Sequence, residues 1–316
     1  MTIFDISVII PFLNEEENID RLTTELGKYF SFNNSRKVEV IFVDDGSTDK
    51  SFAKLSAATH KGYTARVVKF SKNFGSHAAL RAGILHAKGK YVTFMYADLQ
   101  DPLELIDRLY TEITTGEREV VWAVRETVSS GLGERMFSGA YAYMMQRFAI
   151  KTYPEKGFDI VMFGSKVKAL LNQNIEANSS IFLQILIMGF RQSSIQYSKA
   201  ARKAGKSKWT LNKKIKLFID SFVAFSFFPI RLVSIVGVSF FSLGLLWSLY
   251  IIGRKIIFND LEPGWPALVS ILMIGFGITN IALGIIAEYL WRTLDASRKR
   301  PVFIIDEIVE EMPHQG

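Results

Sequence analysis

Residues 7–30 read SVIIPFLNEEENIDRLTTELGKYF. The apolar run Ile6–Ile10 is typical of a buried strand, and the apolar residues of Glu15–Phe30 recur at helical spacing. Three more strand-like runs follow at Val38–Val43, Ala65–Phe70 and Tyr91–Met95, and a second helical pattern covers Ser76–Lys88. Strands that alternate with helices predict an α/β domain whose mostly parallel, Rossmann-like sheet is built from right-handed βαβ units.

A polar cluster follows each predicted strand. The clusters are Pro11–Glu17, Asp44–Ser47, Ser71–Gly75 and Tyr96–Asp101. Ligands of parallel α/β sheets bind beyond the carboxyl ends of the strands, so we expect the binding site at these clusters. Neither GxGxxG nor GxxxxGK[ST] occurs at a strand–helix junction, which argues against a dinucleotide dehydrogenase and a P-loop NTPase.

The segment YADLQDP, residues 96–102, gives the strongest local signal. A carboxylate and an amide two residues apart project to the same side of an extended segment, so Asp98 and Gln100 could offer hard oxygen ligands to Mg²⁺ or Mn²⁺. A metal there would neutralise the phosphates of a departing nucleotide diphosphate. The alternative is an acidic turn that caps the next helix, with Asp101 before Pro102 at the helix start.

Two other segments carry candidate site residues. Asp44 and Asp45 follow the run VEVIFV and suit a ribose or a base edge, although DDGS is also a good turn. Asp159 in KGFDIV is a candidate general base or acceptor-orienting carboxylate, with a structural role in a loop as the alternative.

The basic segment ARKAGKSKW, residues 201–209, is a candidate anion site. Its cations and hydroxyl, which include Arg202, Ser207 and Lys208, could hold phosphate groups. A solvated basic linker near lipid headgroups is the alternative. Nucleic acid is not an expected partner, because neither an aromatic-basic platform nor a helix-turn-helix signal accompanies the basic residues.

Two uncharged apolar runs occupy the second half of the chain. Leu232–Gly253 has 22 residues and Gly264–Ala287 has 24. Each is long enough, at about 1.5 Å per residue, to cross a hydrocarbon layer of about 30 Å. Arg254 and Lys255 are the only Lys or Arg residues in the connection between the two runs, whereas several Lys and Arg lie on both outer flanks. The positive-inside rule therefore predicts that both termini are cytoplasmic. The apolar spacing over Leu211–Phe225 indicates an interfacial helix, or alternatively a core helix of the soluble domain.

Composition narrows the class of protein further. The 316 residues include no Cys, which excludes disulfides, thiolate zinc sites and thiol redox chemistry, and they carry a formal net charge of +7. Small residues in the apolar runs would allow close packing of helices between subunits, so we expect a homo-oligomer. These residues are Gly237, Gly275, Gly277 and Gly284.

Eight motifs occur in one order along the chain. They are SVIIPFLNEEENI, VDDGSTD, SKNFGSHAALRAG, ADLQDP, GFDIVMFGSKV, ARKAGKSKW, FSFFPIRL and GIIAEYLWRTLDASRKRP. From Ser7 to Pro301 this order resembles the polyprenyl-phosphate glycosyltransferases, inverting enzymes of glycosyltransferase family 2 with a GT-A fold. The pair of C-terminal spans is similar to that of GtrB-type bactoprenol glucosyltransferases, dolichol-phosphate mannose synthases and undecaprenyl-phosphate aminoarabinose transferases.

The resemblance implies that a nucleotide diphosphate sugar, most simply UDP-glucose, gives its sugar with inversion to undecaprenyl or dolichyl phosphate. It implies a metal–diphosphate site at Asp98 and Gln100 and a catalytic base at Asp159. It also implies nucleoside contacts from Pro11, Asn14, Glu15, Asp44 and Asp45. Contacts with the acceptor or the diphosphate are implied for Arg202, Ser207 and Lys208. Tyr96 departs from the family pattern, because many relatives have Asp there and so complete a DxD motif.

We therefore expect four parts. They are a cytoplasmic GT-A domain over residues 1–209, amphipathic juxtamembrane helices over 210–231, two transmembrane helices within 232–291 (about 232–253 and 265–289), and a cytoplasmic tail over 292–316. The expected location is a bacterial inner membrane, where a downstream flippase or acceptor transferase would take the lipid-linked sugar. Two alternatives remain open: a polysaccharide-elongating membrane glycosyltransferase and a catalytically silent sugar-nucleotide-binding scaffold.

Overall fold

The structure is a computed structural model. It describes residues 4–32, 35–126, 132–150, 153–154, 158, 160–175, 180–199, 226, 228–258, 264–298 and 300–310. The chain divides into two compact units, one formed by residues 1–221 together with 301–316 and the other by residues 222–300.

The first unit alternates strands and helices over most of its length. In chain order its elements are β1 (Phe4–Phe12), α1 (Glu16–Phe32), β2 (Val38–Asp44), α2 (Ser51–Ala57), β3 (Thr64–Phe70), α3 (Ser76–His86), β4 (Gly89–Phe94), α4 (Glu104–Thr115), β5 (Val120–Arg125), α5 (Leu132–Phe148), β6 (Ile160–Gly164), α6 (Ser165–Gln173), α7 (Ile181–Ile187), β7 (Gln192–Tyr197) and β8 (Ile305–Glu310). The strands and helices predicted up to residue 95 agree with these bounds to within about two residues.

The strands form one sheet in the order β7-β5-β6-β4-β1-β2-β3-β8. The pairs β1–β2, β1–β4, β2–β3 and β5–β7 are parallel. β6 runs antiparallel between β4 and β5, and β8 runs antiparallel to β3. The predicted α/β fold with a mostly parallel sheet is therefore confirmed.

The core lies on both faces of the central strands. Val8 and Ile10 of β1 point to one face and Ile9 to the other, and all three side chains are buried. The buried Leu22 and Leu26 of α1, four residues apart on the helix, belong to the same apolar cluster as Val8 and Ile10. Burial on both faces explains why β1 is an unbroken apolar run in the sequence rather than an alternating one.

The last strand, β8, lies in a part of the chain that the sequence analysis assigned to a tail. It adds to the sheet edge beside β3. The rings of Phe303 and Phe70 stack with their centroids 5.2 Å apart, and Lys69 Nζ lies 3.3 Å from Asp306 Oδ2. The chain therefore returns from the second unit to complete the sheet of the first.

The second unit contains two long helices, α8 (Phe228–Phe258) and α9 (Trp265–Ser297). Both carry exposed large apolar side chains, as Leu246 and Phe276 show at 63% and 69% exposure. Among the described residues, one helical stretch is long and apolar enough to cross a membrane, Ile274–Trp291 of α9, while α8 contains a shorter apolar stretch, Arg231–Gly244. The two predicted apolar runs are thus helical, and one of the two meets the criteria for a span.

Candidate active site

The predicted donor-binding segments meet at one edge of the sheet. β1 lies between β2 and β4 and runs parallel to both, so the carboxyl ends of the three strands lie side by side. Phe12 is opposite Asp44, and the amide of Met95 donates to the carbonyl of Ile9 at 3.0 Å. The predicted site residues at this edge are Pro11, Asn14, Glu15, Asp44, Asp45, Asp98 and Gln100.

The loop after β1 is tied directly to the loop after β2. Asn14 has φ +51, in the left-handed region that Asn tolerates better than most residues. Its backbone N–H donates to Ser47 Oγ at 2.9 Å, and its Oδ1 accepts from the Thr48 amide at 2.8 Å. The amide of Glu15 donates to Ser51 Oγ at 2.9 Å. These bonds fix the two loops as one polar surface at the end of the sheet.

One carboxylate oxygen of Asp44 is hydrogen-bonded, and the other has no partner among the described protein atoms. Its Oδ1 accepts the backbone N–H of Ser47 at 2.8 Å. Its Oδ2 is buried and has no hydrogen-bond partner among the described protein atoms. Burial raises the pKa of Asp44, and the hydrogen bonds from Ser47 partly oppose that rise. A buried acceptor without a partner is costly, so this oxygen is suited to a donor that a ligand brings.

Asp45, a predicted nucleoside contact, is hydrogen-bonded to the loop before α3 in this structure. Its Oδ1 accepts the amide of Phe74 at 2.7 Å, and both of its oxygens lie 3.0 Å from the amide of Gly75. Burial raises the pKa of Asp45, and these two N–H groups oppose the rise. Gly46 permits the loop before α3 to lie this close to the end of β2, because a Cβ at Gly46 would lie 2.4 Å from the carbonyl carbon of Lys72. Asp45 therefore holds the loop before α3 against the end of β2.

The two predicted metal ligands lie in one tight turn. The amide of Gln100 donates to Asp98 Oδ1 at 3.2 Å, and Leu99 between them has φ +51. The described residues hold no cluster of three or more His, Cys, Asp or Glu that could form a metal site. One carboxylate and one amide oxygen fit Mg²⁺ or Mn²⁺ when substrate phosphates complete the coordination, which is the usual way proteins bind Mg²⁺.

Asp101 is not the N-cap residue of the following helix, where the alternative interpretation placed it. The residue at the N-cap of α4 is Leu103, whose side chain makes no capping hydrogen bond. Asp101 is instead 2% exposed. It accepts the hydroxyl of Tyr197 at 2.7 Å and pairs with Lys199 Nζ at 3.3 Å. The turn that carries Asp98 is thus anchored to the end of β7.

Several predicted residues lie outside the described part of the chain. They are Asp159, Arg202, Ser207, Lys208 and the interfacial segment Leu211–Phe225. The residue before Asp159 is described: the ring of Phe158 packs on Trp122 with centroids 4.4 Å apart and near Phe182 at 5.7 Å. The residue after it, Ile160, starts β6, whose amino end lies at the carboxyl edge of β4 because the two strands are antiparallel.

Two hydroxyl groups and a lysine that organise this edge have no signal in the sequence. Ser47 and Ser51 bond to residues 33 and 36 positions away, and Lys199 pairs with Asp101 across 98 positions. No local pattern marks such pairs, since each depends on strands that meet only in the folded sheet.

The α/β sheet with acidic segments at its carboxyl edge is that of a glycosyltransferase. A family model described as "Glycosyl transferase family 2" matches residues 7–178. The chain belongs to that family.

Relatives match nearly the whole chain. An uncharacterized glycosyltransferase, YkcC, of Bacillus subtilis is 30% identical over 95% of this chain and 93% of its own. The undecaprenyl-phosphate 4-deoxy-4-formamido-L-arabinose transferase of Pseudomonas fluorescens is 31% identical over 98% of this chain and 91% of its own. The prophage bactoprenol glucosyl transferase homolog of Escherichia coli is 28% identical over 96% of this chain and 99% of its own. The resemblance to this group of transferases is confirmed.

A solved structure with a similar chain is glucosyl-3-phosphoglycerate synthase from Mycobacterium tuberculosis, in complex with Mn²⁺, UDP-glucose and phosphoglyceric acid. It is 18% identical, with a TM-score of 0.47, and the match covers 69% of this chain and 79% of that chain.

Proposed function

We propose that this protein transfers a sugar, with inversion, from a nucleotide diphosphate sugar to a polyprenyl phosphate at the cytoplasmic face of a membrane. The observation that carries the proposal is the gathering of Asn14, Asp44 and Asp98 at one sheet edge in a family 2 glycosyltransferase. Two relatives named for undecaprenyl phosphate and bactoprenol, which match the apolar helices as well as the sheet, support this acceptor. Glucose from UDP-glucose is the donor we propose.

The donor's nucleoside would lie on the joined loops after β1 and β2. Pro11, Asn14 and Glu15 line one side, and the unpartnered Oδ2 of Asp44 is available to a base or ribose donor group. Asp45 acts on the nucleoside through the loop that it holds before α3. Asp98 and Gln100 would bind a divalent cation with the diphosphate, and the cation, when bound, supplies positive charge for the leaving group.

The acceptor needs little activation by a general base. A polyprenyl phosphate is already an anionic oxygen nucleophile near neutral pH. Its oxygen bonds to the anomeric carbon while the bond from that carbon to the nucleotide's phosphate oxygen breaks, and the electron pair leaves with the nucleotide diphosphate. We assign Asp159 to orienting the acceptor, and Arg202, Ser207 and Lys208 to binding its phosphate. A β-linked product follows from an α-linked donor.

The position of β8 supports the predicted pair of spans. β8 follows α8 and α9 in the chain, yet it pairs with β3, which precedes them. A bilayer cannot divide a hydrogen-bonded sheet, so the chain between Tyr197 and Ile305 must cross a membrane an even number of times. If α9 crosses at Ile274–Trp291, a second crossing is required, and α8, 31 residues long, has the length for it.

The decisive experiment supplies membranes that contain the protein with radiolabelled UDP-glucose, Mg²⁺ and undecaprenyl phosphate. We expect an acid-labile, organic-soluble labelled lipid. UDP-N-acetyl sugars, GDP-mannose and an aminoarabinose donor are screened in parallel. A labelled polymer would favour the polysaccharide-elongating alternative, and the absence of any labelled product with every donor would favour the silent scaffold; either result contradicts the proposal.

Asp98→Asn tests the site within the same assay. Loss of the carboxylate should lower the rate about 100-fold at ordinary donor and Mg²⁺ concentrations, because charge on the departing diphosphate is then poorly neutralised. Glu104→Gln is the matched control, since it removes an exposed carboxylate a few residues away on α4. Full metal-dependent turnover by Asp98→Asn would contradict the assignment.

A further inference from the structure

A lysine lies over the aromatic ring of Tyr96. The Nζ of Lys199 is 5.6 Å from the centroid of the Tyr96 ring, within the range of an attraction between a cation and an aromatic face. Tyr96 stands two residues before Asp98. The positive charge of Lys199 therefore lies over a neutral ring in the segment that leads into the Asp98–Gln100 turn.

The ammonium group is held in place by a buried carboxylate. Lys199 Nζ lies 3.3 Å from Asp101 Oδ1, and the side chain of Asp101 is 1% exposed whereas that of Lys199 is 17% exposed. The hydroxyl of Tyr197 donates to the same Asp101 oxygen at 2.7 Å. A buried carboxylate strongly resists losing its cation, so Lys199 stays beside the Asp98–Gln100 turn.

The pair leaves Lys199 with capacity for an anion. An ammonium group has three N–H donors, and one carboxylate does not use them all. The partial exposure of the lysine, compared with the near-complete burial of Asp101, leaves the ammonium as the part of the pair that an incoming ligand can reach. A nucleoside diphosphate bound at the adjacent turn would present acidic phosphate oxygens, which are good partners for such a donor.

We propose that Lys199 is a further binding residue for the diphosphate of the nucleotide sugar, supplying a fixed positive charge beside the Asp98–Gln100 turn. This inference rests on the proposed function, since it concerns the same donor. The consequence is that part of the diphosphate affinity does not require a divalent cation, because the ammonium group of Lys199 itself supplies positive charge.

The test compares Asp101→Asn with the double variant D101N/K199M. In D101N the amide oxygen can still accept from the ammonium group of Lys199, which is partly exposed, and in the double variant neither charge remains. Both proteins should therefore fold, and they differ only at residue 199. Calorimetric titration of the purified full-length protein with UDP, GDP and inorganic pyrophosphate, in EDTA, measures the affinity without metal. We expect the double variant to bind at least one of these probes roughly 10-fold more weakly than D101N does, which is typical for the loss of a hydrogen bond to a charged group.

A matched control separates a local contact from net charge. D101N/K166M removes an exposed lysine from the start of α6 and should bind like D101N. Equal affinities of D101N and D101N/K199M for all three probes would overturn the inference, as would a wild-type protein that binds none of them without metal. The labelled-lipid assay tests the proposed function separately. If the wild type makes no labelled lipid, while K199M still weakens metal-free binding in the D101N background, the proposed acceptor is contradicted and the role of Lys199 is not.

Discussion

Asp44 shows at the scale of one residue how a binding site and a stable fold compete. Its carboxylate is buried with one oxygen unpartnered, and burial raises its pKa. In the unfolded chain the group ionises at its ordinary, lower pKa. Ionisation therefore opposes folding as pH rises through the unfolded value toward the folded one, and the cost persists at neutral pH.

Asp44→Asn should raise the thermal midpoint at neutral pH, because the amide carries no charge to bury. The gain over the wild type should shrink as pH falls toward the ordinary Asp pKa of about 4, and it should vanish below that value, where Asp44 is protonated in both states. The same variant should bind nucleoside diphosphate about 10-fold more weakly. Melting curves from pH 4 to 8 check the first effect and calorimetry the second. Asp20→Asn, at an exposed side chain, is the control, and a wild-type midpoint above that of Asp44→Asn at pH 8 would contradict the argument.

The sequence predicted where these carboxylates lie in the sheet, and the structure adds partners that the sequence does not show. Asp44 and Asp98 lie at the expected edge because short polar segments after parallel strands can only be there. Asp45 and Asp101 have partners that depend on elements distant in sequence, namely the loop before α3 and the end of β7. A single chain read along its length contains no signal for such pairs.

At the scale of elements, α3 packs closely on β1 because one helical position lacks a side chain. A Cβ at Gly83 would lie 2.3 Å from Ile9 Cγ2. Gly83→Ala should therefore reduce the free energy of unfolding by about 1–3 kcal/mol, since Ile9 is buried and cannot yield easily.

Gly139→Ala is the matched helical control. A Cβ at Gly139 of α5 meets nothing within 4 Å, so alanine should be neutral or stabilise the helix by up to about 1 kcal/mol. Denaturant unfolding in detergent, followed by the fluorescence of the chain's tryptophans, measures both variants. An unchanged midpoint for Gly83→Ala would mean that α3 can move away from β1 at little cost.

The short edge strand β8 packs its side chains against the core on one face only. Val309 packs partly buried against the core, whereas Ile308, the preceding residue, is 41% exposed. Val309→Asp should cost about 2 kcal/mol of stability because it moves a charge toward apolar surface, and Ile308→Asp should change stability by about 0.5 kcal/mol or less. Thermal unfolding of the two variants checks this, and equal losses would place β8 outside the cooperative fold.

β8 also shows why an edge strand is harder to predict than a central one. The central strands are buried on both faces, so their apolar runs stand out. IDEIVE, residues 305–310, is short and half acidic, and it becomes a strand by pairing with β3, which is distant in the sequence. Edge strands commonly carry charge, which protects them from pairing with other chains and hides them in the sequence.

At the scale of the whole molecule, membrane topology can be measured directly because the chain has no Cys. With a pair of crossings, Asn259→Cys in the connection should react with a membrane-impermeant maleimide added to intact cells. Glu307→Cys, on β8, should react only after the cells are opened. The Cys-free parent is the blank, and labelling of both positions from the same side would contradict the two-span arrangement.

The pairing of β8 with β3 also has a consequence for biosynthesis. The ribosome makes β3 early and β8 only after α8 and α9 have emerged, so the nascent sheet waits with an open edge until both apolar helices have been delivered. An unpaired edge invites association with other chains. Closure of this edge by β8 is therefore the last step in forming the sheet, and a chain cut short before residue 305 would leave β3 uncovered.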